Sequence, residues 1–92
     1  MKLTTTKITE LSLDPSNVRK HGRKNLDAIK ASLRKFGQQK PIVVDAKGIV
    51  IAGNGTLEAA HALEWKEIAI VRADHLSPEQ ARAYAIADNK TS

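Results

Sequence analysis

The sequence contains no cysteine in its 92 residues. This absence excludes disulfides, zinc–thiolate centres and thiol nucleophiles. Aromatic residues are also scarce, because only Phe36, Trp65 and Tyr84 are present. That scarcity argues against binding single-stranded nucleic acid on stacked aromatic rings. No apolar run approaches the length of a membrane-spanning helix, and the N-terminus lacks a signal-peptide core, so we expect a cytoplasmic protein without a membrane partner.

Positive charge is concentrated in one stretch of the chain. Fifteen Lys and Arg against ten Asp and Glu give a formal charge of +5. Between residues 19 and 40, Asp27 is the single acid among many basic residues. Such a cationic half favours partners that carry phosphate, either a nucleotide or nucleic acid, although a solvated helix face gives the same pattern. We expect non-specific DNA contacts from Arg19, Lys20, Arg23, Lys24 and Lys40.

The chain is long enough for one domain, residues 1–92, which can be a fragment of a longer protein. Alternating residues predict a first strand at Ile8–Leu11, followed by a turn at Leu13–Asn17. Asn25 is the predicted N-cap of the first helix. The core face of that helix is predicted to carry Leu26, Ile29, Leu33 and Phe36, and Gly37 is predicted to end it in a left-handed conformation.

Further strands and helices follow in alternation. Pro41–Val44 and Ile49–Ile51 are predicted to be buried strands, joined as a hairpin by the turn Asp45–Gly48. A helix is predicted at Leu57–Leu63, a strand at Ile68–Val71, and a last helix from Pro78 to about Asn89, with Ser77 and Gln80 as a capping box. The order predicts an α+β fold, a small mixed β-sheet with three helices packed on it.

A glycine-flanked turn joins the predicted strand at Ile49–Ile51 to the next helix. Gly53 and Gly55 allow the backbone to approach a bound group without interference from a Cβ atom. The free amides of Gly55, Thr56 and Leu57, together with the helix dipole, would form an anion site. On this motif alone, a tight turn that needs glycine only for its geometry is the favoured alternative.

Several motifs in register extend this interpretation. They are Asn17-Val18-Arg19-Lys20-His21, the run from Phe36 to Val44, the run from Val50 to Ala60, Glu67–Val71 and Ala87-Asp88-Asn89-Lys90. In this order and spacing they resemble the N-terminal domain of the ParB/sulfiredoxin superfamily, and within it the phage and prophage ParB-like branch. The resemblance covers residues 8 to 91 and implies a ParB/sulfiredoxin-like fold.

The resemblance also implies a ligand and its site. ParB-family domains bind a nucleoside triphosphate with Mg²⁺, and the chromosome-partition members bind CTP. The phosphates would lie on Gly53, Asn54, Gly55 and Thr56, and the base would lie beside Gln38, Gln39, Lys40 and Pro41. Arg19 and Asn89 would also contact the nucleotide, and Asp88 would lie near the metal. The partition proteins carry a pair of arginines where Asn54-Gly55-Thr56 stands here, so Arg19, Arg23 or Lys40 would have to supply the missing charge.

The leading interpretation is a non-catalytic, ParB-like nucleotide-binding module that acts on or near DNA without reading its sequence. One alternative is a weak metal-dependent DNA nuclease or nucleotide hydrolase that uses Asp88 and Glu58, with Asp74 as a further carboxylate. Another is a protein-interaction or DNA-binding module that has lost the nucleotide. Sulfiredoxin activity is excluded because its chemistry requires a cysteine. The branch also implies a fused or associated methyltransferase or another phage protein as partner, and a homodimer is left open.

Overall fold

The structure is a computed structural model that describes residues 3–13 and 23–91, with side chains from residue 25 to residue 88 in the second range. The elements are β1 (Leu3–Lys7), a 3₁₀ turn (Ile8–Glu10), β2 (Ser12–Leu13), α1 (Arg23–Phe36), β3 (Ile42–Val44), β4 (Ile49–Ala52), α2 (Asn54–Ala62), β5 (Glu67–Arg72) and α3 (Pro78–Thr91). The predicted α+β architecture, a mixed sheet with three helices, is confirmed.

The sheet has the strand order β1-β5-β3-β4-β2. β1 with β5 and β3 with β4 are antiparallel pairs, whereas β3 with β5 and β2 with β4 are parallel. The predicted hairpin between β3 and β4 is confirmed. Its turn is closed by the Asp45 side chain, whose Oδ1 accepts hydrogen bonds from the N–H groups of Lys47 at 2.8 Å and Ile49 at 2.9 Å.

The core lies on both faces of this sheet, because successive strand side chains point to opposite sides. One face carries the largest fully buried side chains, which are Ile42, Val44, Val50, Ile68 and Ile70. Helices α1 and α2 pack against it through Leu33, Leu57, Ala59 and Ala60. The other face is smaller and joins Ile51 and Ala73 to Ala85 of α3. Two helices therefore cover one face and α3 covers the other.

The predicted first strand at Ile8–Leu11 is wrong. Ile8–Glu10 forms a 3₁₀ turn in which the Leu11 N–H donates to the Ile8 carbonyl at 3.0 Å. The strand precedes it, because the threonines of β1 are β-branched and favour extended backbone although they are polar. The turn buries Ile8 in the core although its backbone is not part of a strand.

Helix α1 departs from expectation at both ends. It begins at Arg23, so Asn25 lies inside its first turn and is not the N-cap; Arg23 and Lys24 are good helix formers that extend it backward. Phe36 is 60% exposed and not a core residue; it is the last residue of α1. Gly37 follows with φ of 73°, which confirms the left-handed stop. The turn predicted at Leu13–Asn17 lies outside the described residues apart from Leu13, which ends β2.

The capping box of α3 is confirmed. The Ser77 N–H donates to Gln80 Oε1 at 2.8 Å, and the Gln80 N–H donates to Ser77 Oγ at 3.2 Å. The helix continues to Thr91, slightly beyond the predicted end. Over the described ranges, the structure contains no helix with the length and apolar character needed to cross a membrane.

Candidate nucleotide site

The turn before α2 requires glycine at residue 53. Gly53 caps the helix in a left-handed conformation with φ of 100° and ψ of 27°. A Cβ atom there would lie 2.5 Å from Ile42 Cγ2, and Ile42 is fully buried. The close approach of β3 therefore accounts for this glycine without any ligand, as the geometric alternative predicts.

Helix α2 begins at Asn54, earlier than the sequence predicts. The left-handed Gly53 lets the helix start at once, so the Leu57 N–H donates to the Gly53 carbonyl at 3.0 Å. The prediction that the Leu57 amide is free is therefore wrong. The first N–H groups of a helix have no acceptor within it, and here these are the amides of Asn54, Gly55 and Thr56.

Asn54 is the one buried polar side chain among the described residues, at 7% exposure. Its Oδ1 atom is buried and has no hydrogen-bond partner there. Leaving a buried acceptor unpaired costs about 1–3 kcal/mol, so such atoms call for an explanation in strain or function. The turn is therefore only partly open, since Asn54 is covered whereas Gly55 and Thr56 are half-buried.

A concavity of about 350 Å³ lies between the end of α1 and the start of α2. It is lined by Ala28, Ile29, Ser32, Leu33, Gly37, Gln38, Gln39, Lys40 and Thr56. The structure thus brings Gln38, Gln39 and Lys40, assigned from the resemblance to the base side, together with Thr56 of the phosphate turn. Pro41 is exposed next to this loop, and the remaining turn residues adjoin Thr56 along the chain without lining the concavity.

The two glutamines of this loop already bond to backbone groups of the protein. Gln38 Nε2 donates to the carbonyls of Ala69 at 2.9 Å and Lys40 at 3.0 Å, and Gln38 Oε1 accepts the Ala69 N–H at 2.8 Å. Gln39 Nε2 donates to the Phe36 carbonyl at the end of α1. The Lys40 side chain is exposed and can offer its charge to a ligand.

The remaining predicted site residues are described only in part. Arg19 and Lys20 lie outside the described residues, and Arg23 and Lys24 open α1 with side chains that are not described. Asp88 is half-buried on α3, next to Asn89, of which only the backbone is described. Within residues 3–13 and 23–91, no three or more His, Asp or Glu side chains gather into a metal site, so Glu58, Asp74 and Asp88 do not form a carboxylate cluster.

A second cavity, of about 580 Å³, was not predicted. It lies beside the 3₁₀ turn and is lined by Ile8, Thr9, Leu11, Leu13, Leu26, Leu57, Glu58 and His61. His61 of α2 is exposed at this cavity. The alternation of Leu11 and Leu13 is the only sequence signal that points toward this cavity.

Comparison with known proteins decides the family. A sequence profile of the ParB N-terminal domain matches residues 1–90. The chain belongs to the ParB N-terminal domain family. The ParB-like nuclease domain-containing protein YnaK of Escherichia coli K12 is 30% identical over 80 residues, which cover 87% of this ParB N-terminal domain and 92% of that protein.

Solved structures agree with this fold. C-terminally truncated ParB from Caulobacter crescentus, complexed with CTP-gamma-S, superposes with a TM-score of 0.87 and 21% identity, over 100% of this chain and 54% of that one. The same protein complexed to the centromeric parS site gives 0.75 and 22%, over 94% and 46%. Arabidopsis thaliana sulfiredoxin gives 0.75 and 17%, over 91% and 97%. The ParB N-terminal domain thus spans about half of each Caulobacter chain, and at these identities the likeness shows the fold alone.

Proposed function

We propose that this ParB N-terminal domain is a nucleotide-binding module, of the CTP or ATP type, that acts on or near DNA without reading its sequence. The observation that carries the proposal is the concavity in which the Gln38–Lys40 loop meets Thr56 at the start of α2. The Caulobacter ParB of the same fold binds a CTP analogue, which supports a nucleotide as the ligand.

The start of α2 would hold the phosphates. The N–H groups of Asn54, Gly55 and Thr56 have no acceptor within the helix, and the helix dipole makes this end positive. The exposed ammonium group of Lys40 would add a full charge from the opposite side of the concavity. The resemblance adds Arg19 and Asn89 to these contacts.

The loop after α1 would hold the base. Gln39 and Lys40 present polar edges there, with the exposed Pro41 next to them along the chain, and the side chains of Ala28, Ile29 and Leu33 supply an apolar wall. Small-molecule sites combine such apolar walls with a few placed polar groups. The Gln38 carboxamide bonds to backbone groups, so it contributes to this side through its position in the loop.

These residues would bind a Mg²⁺ ion only as part of a complex with the nucleotide. Mg²⁺ takes oxygen ligands and is commonly held by one or two carboxylates plus the phosphates of a substrate. Asn54 Oδ1 is an oxygen without a partner, but it is closed off from solvent. Asp88 is the one carboxylate that the resemblance assigns to the ion, so the phosphates of the nucleotide and water would supply most of the oxygen ligands of Mg²⁺.

A calorimetric titration with CTP, ATP, GTP and ADP, each with Mg²⁺, tests the proposal. Gly55→Val should abolish binding, because the valine side chain would occupy the place of the phosphate. Gly55 has helical backbone, which valine can adopt, so the variant should still fold. Thr56→Ala should cost about 1 kcal/mol, the value of one hydrogen bond. Thr56→Arg should tighten binding through a charge-assisted contact. A folded Gly55→Val that binds like the parent would show that the turn is only structural.

Nuclease activity is the second candidate, because the E. coli relative that covers nearly this whole chain bears that name. Incubation with supercoiled plasmid and Mg²⁺ or Mn²⁺ separates the candidates. Nicking that Asp88→Asn abolishes would favour the enzyme, and DNA binding without any nucleotide affinity would favour a module that has lost its nucleotide. A cytoplasmic location, a homodimer and a methyltransferase or other phage protein as partner stay predictions.

A further inference from the structure

We infer that Gln38 is a positioning residue: its carboxamide completes the hydrogen bonding of β5 and thereby fixes the shape of the loop that receives the ligand. The inference rests on the proposed function for its ligand, and on the geometry of three hydrogen bonds for the positioning itself. It separates the role of Gln38 from that of Gln39, although both side chains line the same concavity.

The carboxamide takes the place of a neighbouring strand beside Ala69. Strand β3 pairs with β5 only from Ile42 onward, opposite Ile70. In a parallel ladder alternate residues bond to the neighbouring strand, as Val44 does when its carbonyl accepts the Ala73 N–H, so the next residue before Ile42 that would face β5 is Lys40. The Lys40 carbonyl accepts a hydrogen bond from Gln38 Nε2 instead. Gln38 supplies both a donor and an acceptor at this point, because its Nε2 reaches the Ala69 carbonyl at 2.9 Å and its Oε1 accepts the Ala69 N–H at 2.8 Å.

The same carboxamide also folds the loop back on itself. Gln38 Nε2 donates a further hydrogen bond to the Lys40 carbonyl at 3.0 Å. The backbone of residues 38–40 is therefore tied at one point to β5, in the rigid sheet. Gln39 and Lys40 are both exposed and line the concavity beyond this tie. Their placement relative to Thr56 depends on the tie.

The chain provides a matched control in the next residue. Gln39 has the same side chain and lines the same concavity, but the structure bonds its Nε2 only to the Phe36 carbonyl, within the loop region itself. Glutamate at either position adds the same negative charge near the ligand. At position 38 it also places carboxylate oxygens against the carbonyls of Ala69 in the sheet and Lys40 in the loop, whereas at position 39 it faces the Phe36 carbonyl at the end of α1.

The experiment compares Q38L, Q38E, Q39L and Q39E with the parent. Amide hydrogen exchange at Ala69 should accelerate about tenfold or more in Q38L, which removes its acceptor, and should not change in the residue 39 variants. Titration with Mg²⁺-CTP and Mg²⁺-ATP should give dissociation constants for Q38E about tenfold or more above those for Q39E, because the added charge is equal and the hydrogen bonds differ. If Q38L does not fold, the nucleotide affinities of Q38E and Q39E still test whether Gln38 positions the loop.

Each outcome decides whether the Gln38 carboxamide positions the loop. Ala69 exchange in Q38L equal to that of the parent would overturn the tie to β5. Faster exchange with unchanged nucleotide affinity would show a structural role without positioning, and weaker affinity with parental exchange would show that Gln38 contacts the ligand directly. If the parent binds no nucleotide, the proposed function and the positioning of a ligand both fail, while Ala69 exchange still shows whether the loop is tied.

Discussion

Gly53 and Asn54 are neighbours in the turn before α2, and different physical effects govern them. Gly53 combines a positive φ with a backbone so close to Ile42 that no side chain fits. Asn54 carries a buried oxygen that nothing in the described structure satisfies. The packing of β3 explains Gly53, whereas no contact among the described residues explains the buried oxygen of Asn54.

Gly53→Ala tests the close packing of the turn against Ile42. The alanine would suffer both the left-handed backbone and the contact with Ile42, so the free energy of unfolding should fall by about 2–5 kcal/mol. Gly37→Ala is the matched control, because Gly37 also has positive φ but a Cβ there meets nothing within 4 Å. It should cost only about 1 kcal/mol in urea unfolding. Equal losses would contradict the role assigned to Ile42.

Asn54→Ala tests the energetic cost of the buried, unpaired Asn54 oxygen. Removing an unpaired buried carboxamide should leave the free energy of unfolding within about 1 kcal/mol of the parent, since the lost packing is offset by the relieved polar atom and by better helix propensity. Nucleotide affinity should fall if Asn54 serves the ligand. A loss of stability well above this range would mean that Asn54 has a partner that holds the turn.

At the scale of elements, helix ends decide how much of the site can be predicted. Ser77 and Gln80 form a local signal over four residues, and the structure reproduces it. The start of α2 is missed by a few residues, because Gly53 is shaped by β3, which is distant in the sequence. Strand β1 is missed because its threonines lack the apolar alternation that marks a strand, and it is fixed by pairing with β5.

Ser77→Ala tests the capping box of α3. Loss of the side-chain acceptor for the Gln80 N–H should lower the free energy of unfolding by about 1 kcal/mol. Ser32→Ala, at an exposed position within α1, should instead raise it by up to roughly 0.5 kcal/mol, because alanine is the better helix former. If Ser77→Ala left the free energy of unfolding unchanged or raised it as Ser32→Ala does, the cap would contribute nothing to stability.

The basic stretch around α1 predicts how DNA binding responds to salt. Affinity should fall by roughly two orders of magnitude or more between about 50 and 200 mM salt, with little dependence on base sequence. Lys40→Ala should reduce the slope of log affinity against log salt by about one, and Lys66→Ala, exposed outside the stretch, should leave it unchanged. Affinity that follows one sequence and ignores salt would contradict non-specific binding.

At the scale of the whole molecule, the sheet brings together what the sequence separates. Family motifs and periodicity sufficed to predict the α+β fold, and they named Gln38, Gln39, Lys40 and Thr56, which the structure brings together at the concavity. They could not show that Gln38 bonds to Ala69, 31 residues away, because that contact depends on the order β1-β5-β3. Nor could they show the cavity beside Leu13 and His61, which forms only when the 3₁₀ turn packs against α2.

The central claim is that the loop after α1 and the start of α2 form one nucleotide site. The most direct test is an NMR titration of ¹⁵N-labelled protein with Mg²⁺-CTP and Mg²⁺-ATP, following each backbone amide. A single site there gives saturable shifts that are largest at Gln39, Lys40, Gly55 and Thr56, and small in the N-terminal half of α3. Shifts centred on Leu13 and His61, or no saturable shift at millimolar nucleotide, would contradict it.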